Sequence, residues 1–372
     1  MSRPSLSTVA ALALLAGVGS SPPARAESTT LRIATIAPDG SAWARELRAW
    51  ARDVAVQTEG AVTVKVYFAG IGGDEFTVLD RIRRDQLDGI IGSESCARLA
   101  PSLRVSRVIG LFQDRDESAY VLTRLKPELD RELMQSSFIN LGEAGLGPEV
   151  LFTRQPVRSL AELRAARLWV WDLDQQLRAQ AEALGLHVVP LPIEQAAHAY
   201  EAHQVDGFIG VPVAALAFQW STDARYFSDL RLSFRSGCLM VASRFFDALP
   251  LASQRSLRAS AAKLRARIED LGRQQDSALL GGLFARQGLQ LVPVSASFRS
   301  EFFEAAQRAR AAGHEAGPRR AAATGAHLAG RLSQRASRQQ LTRGRRGSDG
   351  RRRSRREPAI SHSTSPLRPV AI

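Results

Sequence analysis

Cysteine is scarce in this chain. Cys96 and Cys238 are the only two among 372 residues. Neither lies in a local sequence typical of a catalytic thiol. Export from the cell would permit a disulfide between them, but the sequence does not decide between a disulfide and two buried thiols.

Several motifs of enzymes and membrane proteins are also missing. Beyond the N-terminus there is no run of about 20 uninterrupted apolar residues, the length that a membrane helix needs. There is no Gly-x-Ser-x-Gly nucleophile elbow, so a hydrolase has no recognisable nucleophile. The glycine-rich loop 70–74 lacks the Lys-Ser/Thr of a P-loop and the spacing of a dinucleotide fingerprint. We therefore predict a protein that is not an enzyme and that holds no cofactor.

A metal site is not expected either. His198 and Glu201 have the spacing of neighbours on one helical face, but His203 does not share that spacing with His198. Catalytic zinc sites use three protein ligands. The paired acids Asp172 and Asp174 follow a predicted strand, where they could bind a hydroxyl or a cation, or cap the next helix; capping is the favoured interpretation.

The N-terminus has the pattern of a secretory signal. Arg3 supplies a positive charge, residues 6–18 form an apolar run too short to span a bilayer, and Ala24-Arg25-Ala26 is a small-x-small cleavage pattern. We predict a mature start at Glu27. No cysteine follows the apolar run, so a lipid anchor is not expected. The predicted location is the periplasm, without stable membrane insertion.

The strong positive charge of the chain comes from its C-terminal tail. Residues 311–372 contain 14 of the 50 lysines and arginines but only three of the 37 acidic residues, so the other residues carry +2 of the total +13. The tail also lacks Phe, Tyr and Trp and is rich in Arg, Ser, Gly and Ala, which is typical of disorder. A basic arm for phosphates is one interpretation and a solvated appendage is the favoured one. We do not predict nucleic-acid binding.

A short pattern occurs twice and organises the fold prediction. Residues 86–92 read Gln-Leu-Asp-Gly-Ile-Ile-Gly, and residues 204–210 read Gln-Val-Asp-Gly-Phe-Ile-Gly. A helical segment precedes each copy, and a strand-like run precedes that helix, at Val62–Phe68 and at His187–Leu191. Such strand–helix–strand units build parallel sheets. The duplication predicts two similar α/β lobes with a cleft between them.

Further elements follow from periodicity. One helical face carries Trp43, Leu47, Trp50 and Val54. Separate strands are predicted near 138–142, 149–153, 226–234 and 238–242. A long helix is expected at 252–286, and a last helix at 298–310.

The chain resembles the substrate-binding proteins of TRAP (tripartite ATP-independent periplasmic) transporters, of the dicarboxylate-binding type. The ordered motifs that carry the resemblance are Ile33–Ser41, Gly72–Glu75, Gln86–Gly89, Arg158–Leu163, Pro190-Leu191 and Val205–Gly207. The resemblance implies a two-lobe periplasmic binding protein fold in which a ligand binds in the cleft, the lobes close, and the ligand passes to a membrane permease driven by an ion gradient. Together with the N-terminal and C-terminal patterns, it predicts these parts: signal peptide 1–26, lobe I 27–147 and 236–258, lobe II 148–235, a bridging helix with a C-terminal strand and helix 259–310, and a disordered tail 311–372.

This sequence departs from the family pattern at the ligand site. Where the family carries an arginine that clamps a ligand carboxylate, this chain has Trp169, and a second frequent arginine aligns with Glu149. After the second Asp-Gly, Ile209-Gly210 replaces the family's Glu-Asn. Arg167 shares a strand face with Trp169 and could replace the clamp after a register slip.

These departures predict an apolar, aromatic cleft and a hydrophobic or weakly polar ligand, with simple dicarboxylates disfavoured. The candidate ligand-binding residues are Trp43, Asp74, Ser93, Glu94, Glu149, Arg167, Trp169, Trp171, Phe208, Ile209 and Gly210. Lobe core is the alternative location for Trp43 and Trp171. The alternative function is a periplasmic binding module that hands its ligand to a sensor or to an additional periplasmic protein.

Overall fold

The computed structural model describes residues 28–316. The predicted signal peptide 1–26 and most of the predicted tail 311–372 lie outside the described residues. The part of the chain that is described folds as two α/β lobes joined along shared strands, which confirms the predicted fold class.

The secondary structure follows the predicted alternation of strands and helices. The strands are β1 Thr29–Thr35, β2 Val62–Tyr67, β3 Gly89–Gly92, β4 Phe138–Thr153, β5 Arg167–Trp171, β6 His187–Leu191, β7 Gly207–Gly210, β8 Tyr226–Ser228, β9 Ser233–Ala242 and β10 Gln290–Val292. The helices are α1 Ala42–Gln57, α2 Glu75–Arg83, α3 Glu94–Leu99, α4 Arg115–Gln135, α5 Leu160–Ala165, α6 Gln175–Ala183, α7 Ala196–Glu201, α8 Pro212–Ala217, α9 Ser243–Asp247, α10 Leu251–Ala278, α11 Phe284–Arg286 and α12 Ala296–Ala316. The last helix therefore extends beyond its predicted end at residue 310.

The two lobes repeat one strand order. In the first lobe β1 lies between β2 and β3, and both pairings are parallel. In the second lobe β5 lies between β6 and β7, again with parallel pairings. Each three-stranded unit is then extended by an antiparallel strand, since β9 pairs with β3 and β4 pairs with β7. The duplicated sequence pattern thus corresponds to a duplicated sheet.

The two Asp-Gly turns are equivalent down to their hydrogen bonds. The guanidinium of Arg32, on β1, donates to both carboxylate oxygens of Asp88 at 2.8 Å. Arg167, on β5, donates in the same way to Asp206, at 2.9 and 2.8 Å. In both copies the backbone N–H of the arginine also donates to the aspartate. The arginine and the aspartate thus fasten the turn to the neighbouring strand.

The glycine after each aspartate is required by close packing. A Cβ atom at Gly89 would lie 2.7 Å from the carbonyl oxygen of Met240, and one at Gly207 would meet the carbonyl oxygen of Phe152. Any larger residue would push the strand away from its antiparallel neighbour. The pattern therefore encodes strand packing as well as a helix stop.

Two long strands connect the lobes. The sequence predicted separate strands at 138–142 and 149–153, but β4 is continuous from Phe138 to Thr153. It pairs first with β9, with irregular register between Asn140 and Gly142 and between Gly145 and Gly147, and then with β7. Glycines and bulges bend this ladder, which explains why sequence periodicity did not indicate one strand. The predicted lobe boundaries at 147/148 and 235/236 fall within β4 and β9.

Helix α10 packs against elements of both lobes. It contacts α1 and β4 along its length and reaches α8 of the second lobe. The indole N–H of Trp50, on α1, donates to the hydroxyl of Ser260 at 3.2 Å. The predicted long helix ends earlier than residue 286, because a π-helical segment at Leu279–Leu283 with Gly282 at φ 144° interrupts it.

The two cysteines are joined. Cys96 lies on α3 and Cys238 on β9, with Cα atoms 6.0 Å apart, and their sulfurs form a disulfide. The structure thus resolves the alternative that the sequence left open.

Asp276, on α10, is linked through Arg115 to the connecting strand β4. Its carboxylate pairs with Arg115, which also donates to the carbonyl oxygen of Gly145 on β4 at 3.1 Å. Burial raises the pKa of Asp276 from its ordinary value of 3.8 to about 6, although Arg115 opposes the shift. A carboxyl whose folded pKa exceeds its unfolded pKa favours the folded state below about pH 4 and loses that contribution as the pH rises toward 6.

We expect Asp276→Asn to remove this pH dependence. Between pH 4 and 7 the wild-type free energy of unfolding should fall by about 2 kcal/mol relative to that of the variant, measured by urea titration. Asp270→Asn, at an exposed position of the same helix, is the matched control and should follow the wild-type profile. If the ion pair with Arg115 outweighed burial, the wild type would instead lose stability toward acid pH relative to Asp276→Asn.

Candidate functional site

A cavity of about 180 Å³ lies between the lobes. Its walls are mainly apolar, and they come from both lobes and from α10. The aromatic and aliphatic lining includes Trp43, Leu47, Leu146, Trp169, Trp171, Ile209, Phe218, Trp220, Leu264 and Ile268. A space of this size takes a single ring with a short substituent.

The second-lobe wall is an aromatic cluster built on β5 and on the segment after α8. The indole of Trp169 contacts that of Trp220 edge to face, with ring centroids 4.7 Å apart. Phe218 stacks on Trp220 at 4.6 Å, and the Trp169 N–H donates to the carbonyl oxygen of Leu191 at 3.0 Å. Because the polar atom of Trp169 is bonded to the backbone, its ring presents apolar surface.

One charged group on the cavity wall is Arg235, on β9. Its Nε donates to Glu149 at 2.8 Å, Nη1 donates to Glu94 at 2.8 Å, and Nη2 donates to Asp174 at 2.6 Å. Nη2 also lies 2.6 Å from Glu149, and Nη1 lies 3.4 Å from the Ser93 hydroxyl. Every nitrogen of the guanidinium is therefore engaged by side chains of the protein.

A second arginine completes this ion cluster. Arg107, only 2% exposed, pairs with Glu94 at 2.8 Å and with Asp174. Glu75, also on the cavity wall, accepts hydrogen bonds from the backbone N–H groups of Ser93 and Ser95 at 3.0 and 2.7 Å, and so caps α3. Three carboxylates, those of Glu94, Glu149 and Asp174, therefore pair with two guanidinium groups.

Two opposing effects determine the ionisation of the side chains in this cluster. Burial disfavours their charged forms, and neighbouring opposite charges favour them. Burial raises the pKa of Glu94, and repulsion from Asp174 adds to the shift. Burial also opposes ionisation of Asp174, but attraction to Arg107 and Arg235 outweighs it and lowers the pKa of Asp174. Burial works against the charge of Arg235, yet its carboxylate partners raise its pKa well above the ordinary value. Arg235 therefore remains a cation with its counter-ions already in place.

The predicted site residues fall into three groups. Those that line the cavity are Trp43, Ser93, Trp169, Trp171, Ile209 and Gly210. Behind the wall lie Phe208, which stacks on Phe152 with centroids 4.8 Å apart, and the two acids Glu94 and Glu149 of the ion cluster. Asp74 and Arg167 do not line this cavity.

The last two residues have structural roles. Asp74 caps α2 by accepting from the N–H groups of Phe76 and Thr77 at 2.8 Å. Arg167 starts β5 and is bound to Asp206, so its guanidinium is held at the Asp-Gly turn and does not replace the clamp.

Sequence reasoning missed Arg235, Glu75, Phe218 and Trp220, and for Asp174 it favoured a capping role over binding a hydroxyl or a cation. Asp174 does cap α6, accepting from the N–H of Leu177 at 2.9 Å, but its other oxygen binds the arginines. The available signal was an arginine inside a mainly apolar stretch, residues 234–242. The Phe-Gln-Trp segment at 218–220 follows no helical or strand period.

Within residues 28–316 no group of His, Cys, Asp and Glu side chains is arranged to hold a metal ion. No helix in the same range is both long and apolar enough to cross a membrane.

A cavity between two α/β lobes that share their connecting strands defines a solute-binding protein of the periplasmic type. The family model of the bacterial extracellular solute-binding proteins, family 7 (DctP), matches residues 33–313, and the chain belongs to this family. Its members are solute receptors and not enzymes. A comparison with curated protein sequences gave no match.

Solved structures of TRAP receptors have the same fold. A Bordetella pertussis extracytoplasmic solute receptor that binds pyroglutamic acid is 18% identical, with a TM-score of 0.74, covering 82% of this chain and 100% of its own. A Haemophilus influenzae receptor with bound L-gulonate is 15% identical, with a TM-score of 0.75 and the same coverages. A Xanthobacter autotrophicus receptor with bound β-D-galacturonate is 17% identical, with a TM-score of 0.72, covering 81% of this chain and 98% of its own.

Proposed function

We propose that this protein is the periplasmic receptor of a TRAP transporter and that it captures an uncharged, largely apolar small molecule by closing its lobes around it. The ligand is then delivered to an ion-gradient-driven membrane permease. The observation that carries the ligand class is the combination of an aromatic cavity with an arginine whose nitrogens are all engaged. The signal-like N-terminus supports export.

The contrast with the structural neighbours supports this ligand class. Pyroglutamic acid, L-gulonate and β-D-galacturonate are all carboxylic acids. A carboxylate binds arginine through two parallel hydrogen bonds. The guanidinium nitrogens of Arg235 already donate to side chains of the protein, so they are not available to a ligand carboxylate. Burying about 250 Å² of apolar ligand surface would contribute about 6 kcal/mol before association costs. Shape and apolar contact can therefore supply useful affinity without a clamp.

The first test is to identify what the purified protein carries. The chain from residue 27 is expressed with export, purified, denatured and extracted, and the extract is analysed by mass spectrometry. An uncharged apolar compound near one-to-one stoichiometry supports the proposal, and a carboxylic acid contradicts its ligand class. Permease genes beside this gene would support delivery to a transporter, whereas a neighbouring sensor kinase would favour a sensory role.

Trp171→Ala should weaken binding of that compound by about 10- to 100-fold, because a partly buried indole supplies roughly 1–3 kcal/mol of apolar contact. Trp171 lines the cavity without being part of the deepest core. Titration calorimetry measures the change, and Tyr120→Ala, at an exposed position on α4, is the control. Unchanged affinity in Trp171→Ala would place the ligand elsewhere.

A further inference from the structure

We propose that Asp174 determines the charge of the ligand, because its carboxylate occupies the face of Arg235 that a ligand carboxylate would otherwise bind. This inference rests on the proposed function, since it takes the cavity as the ligand site. It goes beyond that function by assigning charge selection to one residue. Asp174 would act as a built-in substitute for an anionic ligand.

The position of Asp174 distinguishes it from the other partners of Arg235. Asp174 and Arg235 both line the cavity, whereas Glu94 and Glu149 hold the guanidinium from behind the wall. Glu75 also lines the cavity, but its hydrogen bonds go to Ser93 and Ser95 on the first lobe. Of the acids that bind Arg235, Asp174 is thus the one on the ligand side.

Asp174 is held in place by three separate groups. One oxygen accepts from the N–H of Leu177 at 2.9 Å, and the other accepts from Arg235 at 2.6 Å and from Arg107. The side chain is fully buried. A carboxylate that is tethered by the chain and already ordered competes strongly with a free one, whose binding must also order the molecule.

The surrounding charge adds a second barrier to anions. Three carboxylates already pair with two guanidinium groups at this wall. A ligand carboxylate would add a further negative charge at short range in a site of low dielectric, which is strongly unfavourable. An uncharged ligand meets neither barrier.

Asp174→Ser tests the proposal with little change to the backbone. Serine is a good N-cap, so α6 keeps its capping group, while the carboxylate is lost and space opens beside Arg235. Asp172→Ser is the matched control, since Asp172 is an exposed acid two residues away on the same loop. The probes are phenylacetate and its uncharged isostere phenylacetamide, together with acetate compared with chloride at equal ionic strength.

The wild type should bind phenylacetamide at least ~10-fold more tightly than phenylacetate. Asp174→Ser should bind phenylacetate at least ~10-fold more tightly than the wild type does. A factor of this size is what one charge-assisted hydrogen bond contributes to affinity. Acetate should raise the Tm of Asp174→Ser but not that of the wild type or of Asp172→Ser. A wild type that binds phenylacetate as tightly as phenylacetamide overturns the proposal. So does a folded Asp174→Ser whose Tm does not respond to acetate.

The remaining outcomes also decide between the two proposals. If Asp174→Ser folds only when acetate is present, the anion has replaced the missing carboxylate and the proposal is supported; if it folds in neither salt, the wild-type preference between the two phenyl probes decides. A co-purified acid in the wild type would remove both the apolar-ligand proposal and the charge selection assigned to Asp174, even if Asp174→Ser gained acetate binding. An apolar co-purified ligand with no gain in the variant would remove this inference alone.

Discussion

Arg235→Met is expected to lower the free energy of unfolding by about 3–5 kcal/mol at neutral pH, the usual cost of removing one partner from a buried ion pair. Methionine retains most of the apolar stem, so the loss comes from charge. Glu94, Glu149 and Asp174 would remain buried with only Arg107 nearby. Each stripped carboxylate must then stay ionised at high cost or take up a proton.

Chemical denaturation of Arg235→Met and of Arg265→Met provides the comparison. Arg265 also lines the cavity, but it is 43% exposed and pairs with Glu269 on its own helix, so its loss should cost less than about 1 kcal/mol. The deficit of Arg235→Met should shrink as the pH falls, because protonation neutralises the unpaired carboxylates. Equal stability of the two variants at neutral pH would mean that Arg235 is not the centre of the buried cluster.

The lobes were predictable because their signals are local and repeated. Each lobe is built from a strand, a helix, an Asp-Gly turn and a second strand that are close in sequence. The glycine of each turn, Gly89 or Gly207, is required because a side chain there would clash with the neighbouring strand. The long strand β4 was not predicted, since Gly142, Gly145 and Gly147 interrupt its periodicity while the ladder with β9 keeps it continuous.

The ion cluster was not predictable in the same way. The partners of Arg235 lie 61, 86 and 141 residues away along the chain. No local period brings them together; the connection depends on how the lobes meet. The sequence did reveal that an arginine was missing at Trp169, but not that a different arginine lines the same cavity.

Arg167 shows how an internal duplication corrects a functional prediction. A comparison of the two blocks aligns Arg167 with Arg32, and both arginines bind the aspartate of the following Asp-Gly turn. An arginine that both copies carry at the same place serves the shared structure. Trp169, which lines the cavity, instead stands at a position where the copies differ, because the first copy carries Ala34 there.

Replacing both Cys96 and Cys238 with alanine is expected to lower the free energy of unfolding by as much as about 5 kcal/mol. The two cysteines are separated by 142 residues, and the entropy of closing a loop of that length in the unfolded chain gives this value as an upper figure. The bond joins α3 to β9, the elements that carry Glu94 and Arg235. The loss should therefore also loosen the wall of the cavity between the lobes.

Reductant distinguishes the contribution of the disulfide bond to stability from that of the packing of the two cysteine side chains. Dithiothreitol should bring the stability of the wild type close to that of the double alanine variant and leave the variant unchanged. No effect of reductant on the wild type would show that the thiols are free in solution.

Combining the double alanine variant with Arg235→Met gives the coupling energy between the disulfide and the ion cluster. Because the disulfide positions α3, and hence Glu94, against Arg235, the combined loss should be smaller than the sum of the separate losses; simple additivity would mean that the disulfide and the ion cluster stabilise the cavity wall independently.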